Sequence, residues 1–202
     1  MLDTRARRLL GPPLDAVGAR FADAGVPALA LTAAGWVAGV AACVAVVVHA
    51  WLPALALWLL NRLLDGLDGP VARRQGASDL GGFLDIVADF SIYAGFVVAV
   101  GIARPEARIA CLALLCAYYV SGTAFLALSS LLERRGTTIA ADGRSLRFVG
   151  GLAEGTETVV VYAVLCVLPD LAEPIAWVFT AAVAVTAVQR ISLGIAVLRR
   201  GR

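Results

Sequence analysis

Long apolar stretches separated by short polar intervals dominate this chain. Of its 202 residues 60% are hydrophobic, and the mean hydropathy is +0.85. A helix needs about 20 apolar residues to cross the hydrocarbon core of a bilayer. The stretches that meet this length lie at roughly 28–49, 51–68, 81–103, 107–132, 148–168 and 171–198. The pattern therefore predicts an all-α fold, a polytopic integral membrane protein with six transmembrane helices.

Residues 1–24 follow a different pattern. Apolar positions such as Leu9, Leu10 and Val17 alternate with arginines and aspartates, and the run Gly11, Pro12 and Pro13 interrupts the segment. This alternation favours an amphipathic helix lying on the membrane surface over a cleaved signal peptide. We therefore expect two parts: an amphipathic interfacial segment over 1–24 and a six-helix transmembrane domain over 25–202.

The arginines are distributed unevenly along the predicted spans. All 17 basic residues are arginines, and all but three flank the first span, the second-to-third and fourth-to-fifth connections, or the end of the chain. The opposite connections hold only Arg104 and Arg108, and Arg190 lies within a span. Because positive residues stay on the cytoplasmic side, both termini are predicted to be cytoplasmic. The net charge of +2 follows topology rather than forming a basic patch, which argues against nucleic acid binding.

Four aspartates interrupt the apolar pattern at helical spacings. Asp65 and Asp68 lie three residues apart, and Asp85 and Asp89 lie four apart, so that each pair shares one helix face. A charge at bilayer depth costs roughly 2.5–3.5 kcal/mol, so converging carboxylates need a compensating charge. One or two Mg²⁺ or Mn²⁺ ions would supply it and would leave positions open for substrate phosphates. Simple ion pairing at the membrane boundary explains any one of these residues, but not all of them at this spacing.

Other residues near the aspartates suit a phosphate ligand. Gly69 and Gly81 would let a ligand approach the backbone closely, and the guanidinium of Arg73 could pair with a phosphate bidentately. The expected substrate is therefore a phosphate or a diphosphate.

A second polar cluster is predicted in the last two spans. Glu154, Glu157 and Arg190 would lie about 10–15 Å below the cytoplasmic ends of their helices. The cluster is either a buried pair that fixes helix packing or a pocket for a polar substrate, in which Arg190 and Arg147 would grip a phosphate or a hydroxyl-rich head.

The aspartate run resembles the signature of the CDP-alcohol phosphatidyltransferase family. It reads Asp65-x-x-Asp68-Gly69-x-x-Ala72-Arg73, seven residues, then Gly81-x-x-x-Asp85-x-x-x-Asp89, and the seven-residue spacer is one shorter than a common form of the pattern. The resemblance implies that Asp65, Asp68 and Asp85 hold metal, and that Asp89 completes the metal site and acts as general base. Asp85 and Asp89 would be the catalytic pair. The CDP pocket would be lined by Asp65, Gly69, Ala72, Arg73, Ser78 and Gly81.

The implied activity is phosphatidyl transfer in phospholipid biosynthesis. CDP-diacylglycerol would donate the phosphatidyl group to the hydroxyl of a small polar acceptor, such as glycerol 3-phosphate, and CMP would be released. A homodimer in the bacterial plasma membrane with a cytoplasmic active site is also implied. The alternatives are a CDP-choline or CDP-ethanolamine type of phosphotransferase acting on a lipid alcohol, and a non-catalytic membrane transporter in which the intramembrane charges form an ion pathway.

Overall fold

A computed structural model gives the fold of residues 2–134, 153 and 155–200. The described residues form helices joined by short turns, with no strand among them, which confirms the all-α prediction. In chain order the α-helices are α1 (Leu2–Asp23), α2 (Ala28–Val47), α3 (Trp51–Gln75), α4 (Asp79–Ala103), α5 (Arg108–Arg134), α6 (Gly155–Val167) and α7 (Ala172–Arg200). Short 3-10 helices at Pro105–Ala107 and Pro169–Leu171 precede α5 and α7.

Four of the described helices are long and apolar enough to cross a membrane, namely α2, α4, α5 and α7. The second predicted span corresponds to α3, which has the length but carries Arg62 near its middle and Asp65 and Asp68 in its second half. The fifth corresponds to α6, a largely apolar helix whose 13 residues are fewer than a span requires. Most of residues 148–154, where that span is predicted to begin, lie outside the described residues. Six spans therefore stay a prediction.

The N-terminal segment is one continuous helix, and α1 runs through Gly11, Pro12 and Pro13, the residues that interrupt its alternating pattern. Proline removes a helical hydrogen bond, so contacts with the rest of the protein have to offset this local cost. The buried Gly18 lies against Pro70 of α3, as the close approach of the two backbones requires. The placement of α1 on a membrane surface stays a prediction.

Helix α3 lies at the centre of the bundle. It packs against α1, α2 and α6, while α2 also packs on α4, and α5 on both α4 and α7. The core between α3, α4 and α6 is aromatic: the rings of Phe96 and Tyr162 stack with centroids 4.6 Å apart, and Trp58 is fully buried beside them. The Tyr162 hydroxyl donates to the carbonyl of Tyr93 at 2.8 Å. This rigid core supports the polar residues that follow on α3.

The opposite end of the bundle is closed by polar contacts of its own. Arg104, just after α4, donates to Glu106 at 2.7 Å and to Asp170 at 2.8 Å, which ties together the connections before α5 and α7. His49, just after α2, adopts a φ of 61° and donates from Nε2 to the Ala103 carbonyl at 3.0 Å. These contacts fix the bundle at the end away from the aspartates.

Candidate active site

The four aspartates lie on two helices joined by one tight turn. Asp65 and Asp68 are on α3, and Asp85 and Asp89 are on α4. Gly76 ends α3 with a φ of 95°, a value that favours glycine, and the Ser78 side chain caps α4 by accepting from the Gly81 amide at 3.1 Å. The turn reverses the chain and brings the two pairs together.

Two of the four aspartates meet at one side chain. Asp65 and Asp89, one from each pair, form a cluster around a single arginine that lies within ion-pair distance of both. The side chains of Asp65 and Asp89 are 31% and 28% exposed, so the cluster is sheltered but reachable. The structure therefore brings one member of each pair together, and the convergence of all four carboxylates on a metal stays a prediction.

An arginine that the motif does not include bridges two of these aspartates. Arg62 lies one helical turn before Asp65, and its Nη1 is 3.5 Å from Asp65 Oδ2. Its Nη2 donates to Asp89 Oδ1 at 2.9 Å. The side chain is only 9% exposed, so a permanent positive charge is buried among the carboxylates.

Aromatic rings and a buried amide hold Arg62 in place. Its Nη1 donates to the Tyr93 hydroxyl at 2.8 Å, and its Nε donates to Asn61 Oδ1 at 2.7 Å. The guanidinium carbon lies 4.8 Å from the centroid of the Trp58 ring and 4.9 Å from that of Tyr93. Asn61 is itself fixed, because its Nδ2 donates to the Gly35 carbonyl at 2.8 Å. The orientation of Arg62 is thus set by groups on α2, α3 and α4.

Asp68 has a different partner from a third helix. Its carboxylate accepts from Thr32 Oγ1 of α2 at 2.6 Å, and the residue is only 7% exposed. Hydrogen bonds to a charged group contribute more than those between neutral groups, so this contact orients Asp68 firmly.

A small pocket opens between α2, α3 and α4 beside these residues. It is lined by Thr32, Gly35, Trp36, Asn61, Arg62, Asp65, Ala88 and Asp89. The Trp36 indole donates to Ser91 Oγ at 2.9 Å at the same helix contact. The pocket therefore contains one aspartate of each pair, Asp65 and Asp89, together with the arginine that bridges them.

The residues predicted to line a CDP pocket lie around the turn between α3 and α4. The side chain of Arg73 lies close to Gly69: a Cβ atom added to this glycine would be 3.4 Å from Arg73 Nη1. Arg73 Nη2 donates to Asp15 Oδ1 of α1 at 2.8 Å. Ala72 is half-buried, and Ser78 caps α4 through Gly81. Arg73 and Ser78 thus have structural partners, and their predicted contact with a nucleotide stays a prediction.

The second polar cluster is described only in part, since Arg147 and Glu154 lie outside the described residues. Glu157 lies in the first turn of α6. Arg190 of α7 donates to the side chain of Ser121 on α5 at 2.8 Å, and its guanidinium lies 5.1 Å from the Phe125 ring centroid. Arg190 is therefore anchored on α5, and its role as an acceptor ligand stays a prediction.

The sequence reading missed Arg62, Thr32, Asn61 and Tyr93. From the sequence, Arg62 is interpreted only as a cytoplasmic arginine. Its position three residues before Asp65 places it on the same helix face as that aspartate, and this spacing was the available signal. Thr32 is a lone hydroxyl in an apolar helix, and its spacing reveals nothing about Asp68.

The donor set fits a divalent metal by its chemistry. Four carboxylates and one guanidinium leave an excess of negative charge, and carboxylate oxygens are the ligands that Mg²⁺ and Mn²⁺ prefer. Within the described part of the chain, no three His, Cys, Asp or Glu side chains are arranged as a metal centre. Metal binding by the aspartates stays a prediction.

The described residues form a bundle of apolar helices, four of them long enough to cross a membrane, with an aspartate pair on each side of a tight turn. Comparison with known proteins identifies the class: the chain matches the CDP-alcohol phosphatidyltransferase family over residues 26–189 and belongs to it. The protein is therefore an enzyme of this family, as the aspartate motif predicted.

Two known proteins show the extent of the similarity. The inner membrane protein YnjF of Escherichia coli (strain K12) is 38% identical over 176 residues, which cover 84% of this chain and 83% of YnjF. The crystal structure of Mycobacterium tuberculosis phosphatidylinositol phosphate synthase (PgsA1) with CDP-DAG bound matches the fold with a TM-score of 0.70 at 20% identity. That match covers 90% of this chain and 92% of the synthase chain.

Proposed function

We propose that this enzyme transfers a phosphatidyl group from CDP-diacylglycerol to the hydroxyl of a small polar acceptor and releases CMP. The observation that carries the proposal is the meeting of Asp65 and Asp89, one from each aspartate pair, beside a pocket within the apolar bundle. Membership of the CDP-alcohol phosphatidyltransferase family supports this function over a transport role. The solved synthase of the same fold, which has CDP-DAG bound, supports the choice of donor.

In the proposed reaction Asp89 acts as the general base. Its carboxylate takes the proton of the acceptor hydroxyl, and the acceptor oxygen then forms a bond to the β-phosphorus of the donor. The bond from this phosphorus to the bridging oxygen breaks, and CMP leaves with the electron pair. Arg62 donates to Oδ1 of Asp89, and because each carboxylate oxygen has more than one acceptor position, Asp89 keeps a position for the proton.

The other aspartates have a charge role in this scheme. Asp65, Asp68 and Asp85, together with Asp89, would hold Mg²⁺ or Mn²⁺, and such a metal would supply positive charge to offset that of the diphosphate and of CMP. Asp85 lies one helical turn before Asp89 on α4, so both reach the same cluster. Thr32 keeps the Asp68 carboxylate directed into the cluster.

The remaining assignments extend the same scheme. Gly69, Ala72, Arg73, Ser78 and Gly81 would receive the CDP moiety at the turn between α3 and α4. Arg190, with Glu157, Arg147 and Glu154, would bind the acceptor, for which glycerol 3-phosphate is the first candidate. The arginine distribution supports a cytoplasmic site in the bacterial inner membrane. A homodimer completes the proposal.

The test is CMP release by the purified protein in detergent with CDP-diacylglycerol, Mg²⁺ or Mn²⁺ and a panel of acceptors. Asp89→Asn keeps the shape of the side chain but removes its basicity, so release should fall by about 10²-fold or more. Asp79→Asn is the matched control, because Asp79 lies on the same helix outside the motif and is exposed. It should stay within about twofold of the unchanged protein.

Metal-dependent release that requires one acceptor would establish the reaction and identify the product. Equal activity of Asp89→Asn and Asp79→Asn would contradict the role of Asp89. Release with CDP-choline or CDP-ethanolamine and a lipid alcohol, but not with CDP-diacylglycerol, would replace the proposed donor.

A further inference from the structure

The site contains a buried cation that the proposed chemistry does not require. Arg62 bridges Asp65 and Asp89 and is 9% exposed, yet it lies outside the aspartate motif. We propose that Arg62 is a resident counter-charge of the carboxylate cluster, which holds the cluster together before metal binds, remains in place afterwards and limits how tightly the site binds a divalent cation. This inference rests on the proposed metal site.

The contacts of Arg62 indicate that it stays in place. Most of its partners are groups that a metal would not displace: the Tyr93 hydroxyl at 2.8 Å, the Asn61 amide oxygen at 2.7 Å and the Trp58 and Tyr93 ring faces. A guanidinium stacked on aromatic rings and bonded along its edge is held on several sides. Metal entry therefore does not remove the forces that position Arg62.

The geometry also leaves room for a shared site. Arg62 Nη2 engages only Oδ1 of Asp89, and Nη1 lies nearest to Oδ2 of Asp65. A carboxylate has two oxygens and several acceptor positions, so the other oxygen of each aspartate stays available. Arg62 and a metal ion can thus bind the same two carboxylates at once.

The charges determine the direction of the effect. Four carboxylates in a sheltered site repel one another, and a fixed positive charge lowers that repulsion when no metal is present. The same positive charge repels an incoming divalent cation. Arg62 should therefore stabilise the metal-free protein and lower the affinity of the site for a divalent metal.

The experiment compares Arg62→Gln with Arg62→Lys in purified protein stripped of metal. Glutamine removes the charge, whereas lysine keeps it and changes the shape. Free Mn²⁺ is measured by electron paramagnetic resonance without any substrate. We expect Arg62→Gln to bind Mn²⁺ about tenfold more tightly than the unchanged protein, and Arg62→Lys to stay within about threefold of it.

Thermal unfolding gives a second readout. In EDTA, Arg62→Gln should unfold at a lower temperature than Arg62→Lys. Addition of Mn²⁺ should raise the unfolding temperature of the glutamine variant more than that of the lysine variant. Arg104→Gln is the control, because it removes an arginine from ion pairs at the opposite end of the bundle. Its unfolding temperature should fall by the same amount with and without Mn²⁺. Recovery of folded Arg62→Gln only in the presence of Mn²⁺ would also support the proposal.

Three results would overturn it. Equal Mn²⁺ affinity in the unchanged protein and Arg62→Gln would refute the counter-charge role and leave the proposed function intact. An Arg62→Gln protein that fails to fold even with Mn²⁺ would show that a metal charge cannot replace the arginine. Absence of Mn²⁺ binding in the unchanged protein would refute this inference together with the metal part of the proposed function.

Discussion

At the residue scale, single polar side chains on apolar helices hold the aspartate carboxylates in place. Thr32 shows this most simply, because one hydroxyl of α2 donates to Asp68 of α3 at 2.6 Å. Asp68 is buried, so water cannot readily replace the lost bond. A buried acceptor that loses its partner costs more than an average hydrogen bond contributes.

Replacement of Thr32 by valine should therefore destabilise the protein. Thr32→Val keeps the volume and removes the donor, and the free energy of unfolding should fall by about 1–3 kcal/mol. Thr32→Ser is the control, since it keeps the hydroxyl and loses only a methyl group. Thermal unfolding in detergent with EDTA measures both. Equal losses for valine and serine would show that the methyl contact, rather than the hydrogen bond, matters.

At the element scale, the docking of α1 on α3 depends on small residues. A Cβ at Gly18 would lie 2.6 Å from the Cβ of Pro70, and Gly66 of α3 faces Leu14 of α1. The ion pair between Asp15 and Arg73 adds a polar contact at 2.8 Å, but both side chains are more than half exposed, so its contribution is small. Close backbone packing is thus the main reason that α1 lies against the helix that carries Asp65 and Asp68.

A methyl group at position 18 should push α1 away from α3. Because Pro70 is rigid, Gly18→Ala should lower the free energy of unfolding by about 1–3 kcal/mol. Gly11→Ala is a matched control in the same helix, since nothing lies within 4 Å of an added Cβ there. Its unfolding temperature should stay close to that of the unchanged protein. Similar behaviour of the two variants would contradict the packing of α1 on α3.

At the scale of the whole molecule, the two ends of the bundle have different chemistry. One end holds the aspartate cluster and the turn between α3 and α4, which includes the exposed Ala77. The other end holds Arg104 with its partners Glu106 and Asp170. The arginine distribution predicts that the aspartate end faces the cytoplasm.

Cysteine labelling tests this orientation. The four native cysteines are free, so they are first replaced by alanine. Ala77→Cys or Glu106→Cys is then introduced and treated with a membrane-impermeant maleimide on spheroplasts of an expressing bacterium. Cysteine at 106 should react in intact spheroplasts, and cysteine at 77 should react only after permeabilisation. The opposite pattern would place the active site outside the cytoplasm.

Much of the site could be predicted from the sequence because its spacing is local. Asp65 and Asp68, and likewise Asp85 and Asp89, fall on one helix face whatever surrounds them. The turn over 76–78 then makes the two helices antiparallel neighbours. Arg62 could not be assigned in this way, since an arginine near the end of a span is ordinarily explained by topology. Its role depends on Tyr93 and Asp89, which come from another helix.

The sequence by itself determined the helical class, the apolar stretches, the aspartate pairs and the family, because helix periodicity and a motif of fixed spacing are properties of neighbouring residues. The tertiary structure alone decided that Thr32 bonds to Asp68 and that Arg62 joins Asp65 to Asp89. It also decided that α1 continues through Pro12 and Pro13 while packing on α3. These features arise from contacts between helices far apart in the chain, and such contacts depend on how side chains fill the space between helices rather than on local spacing.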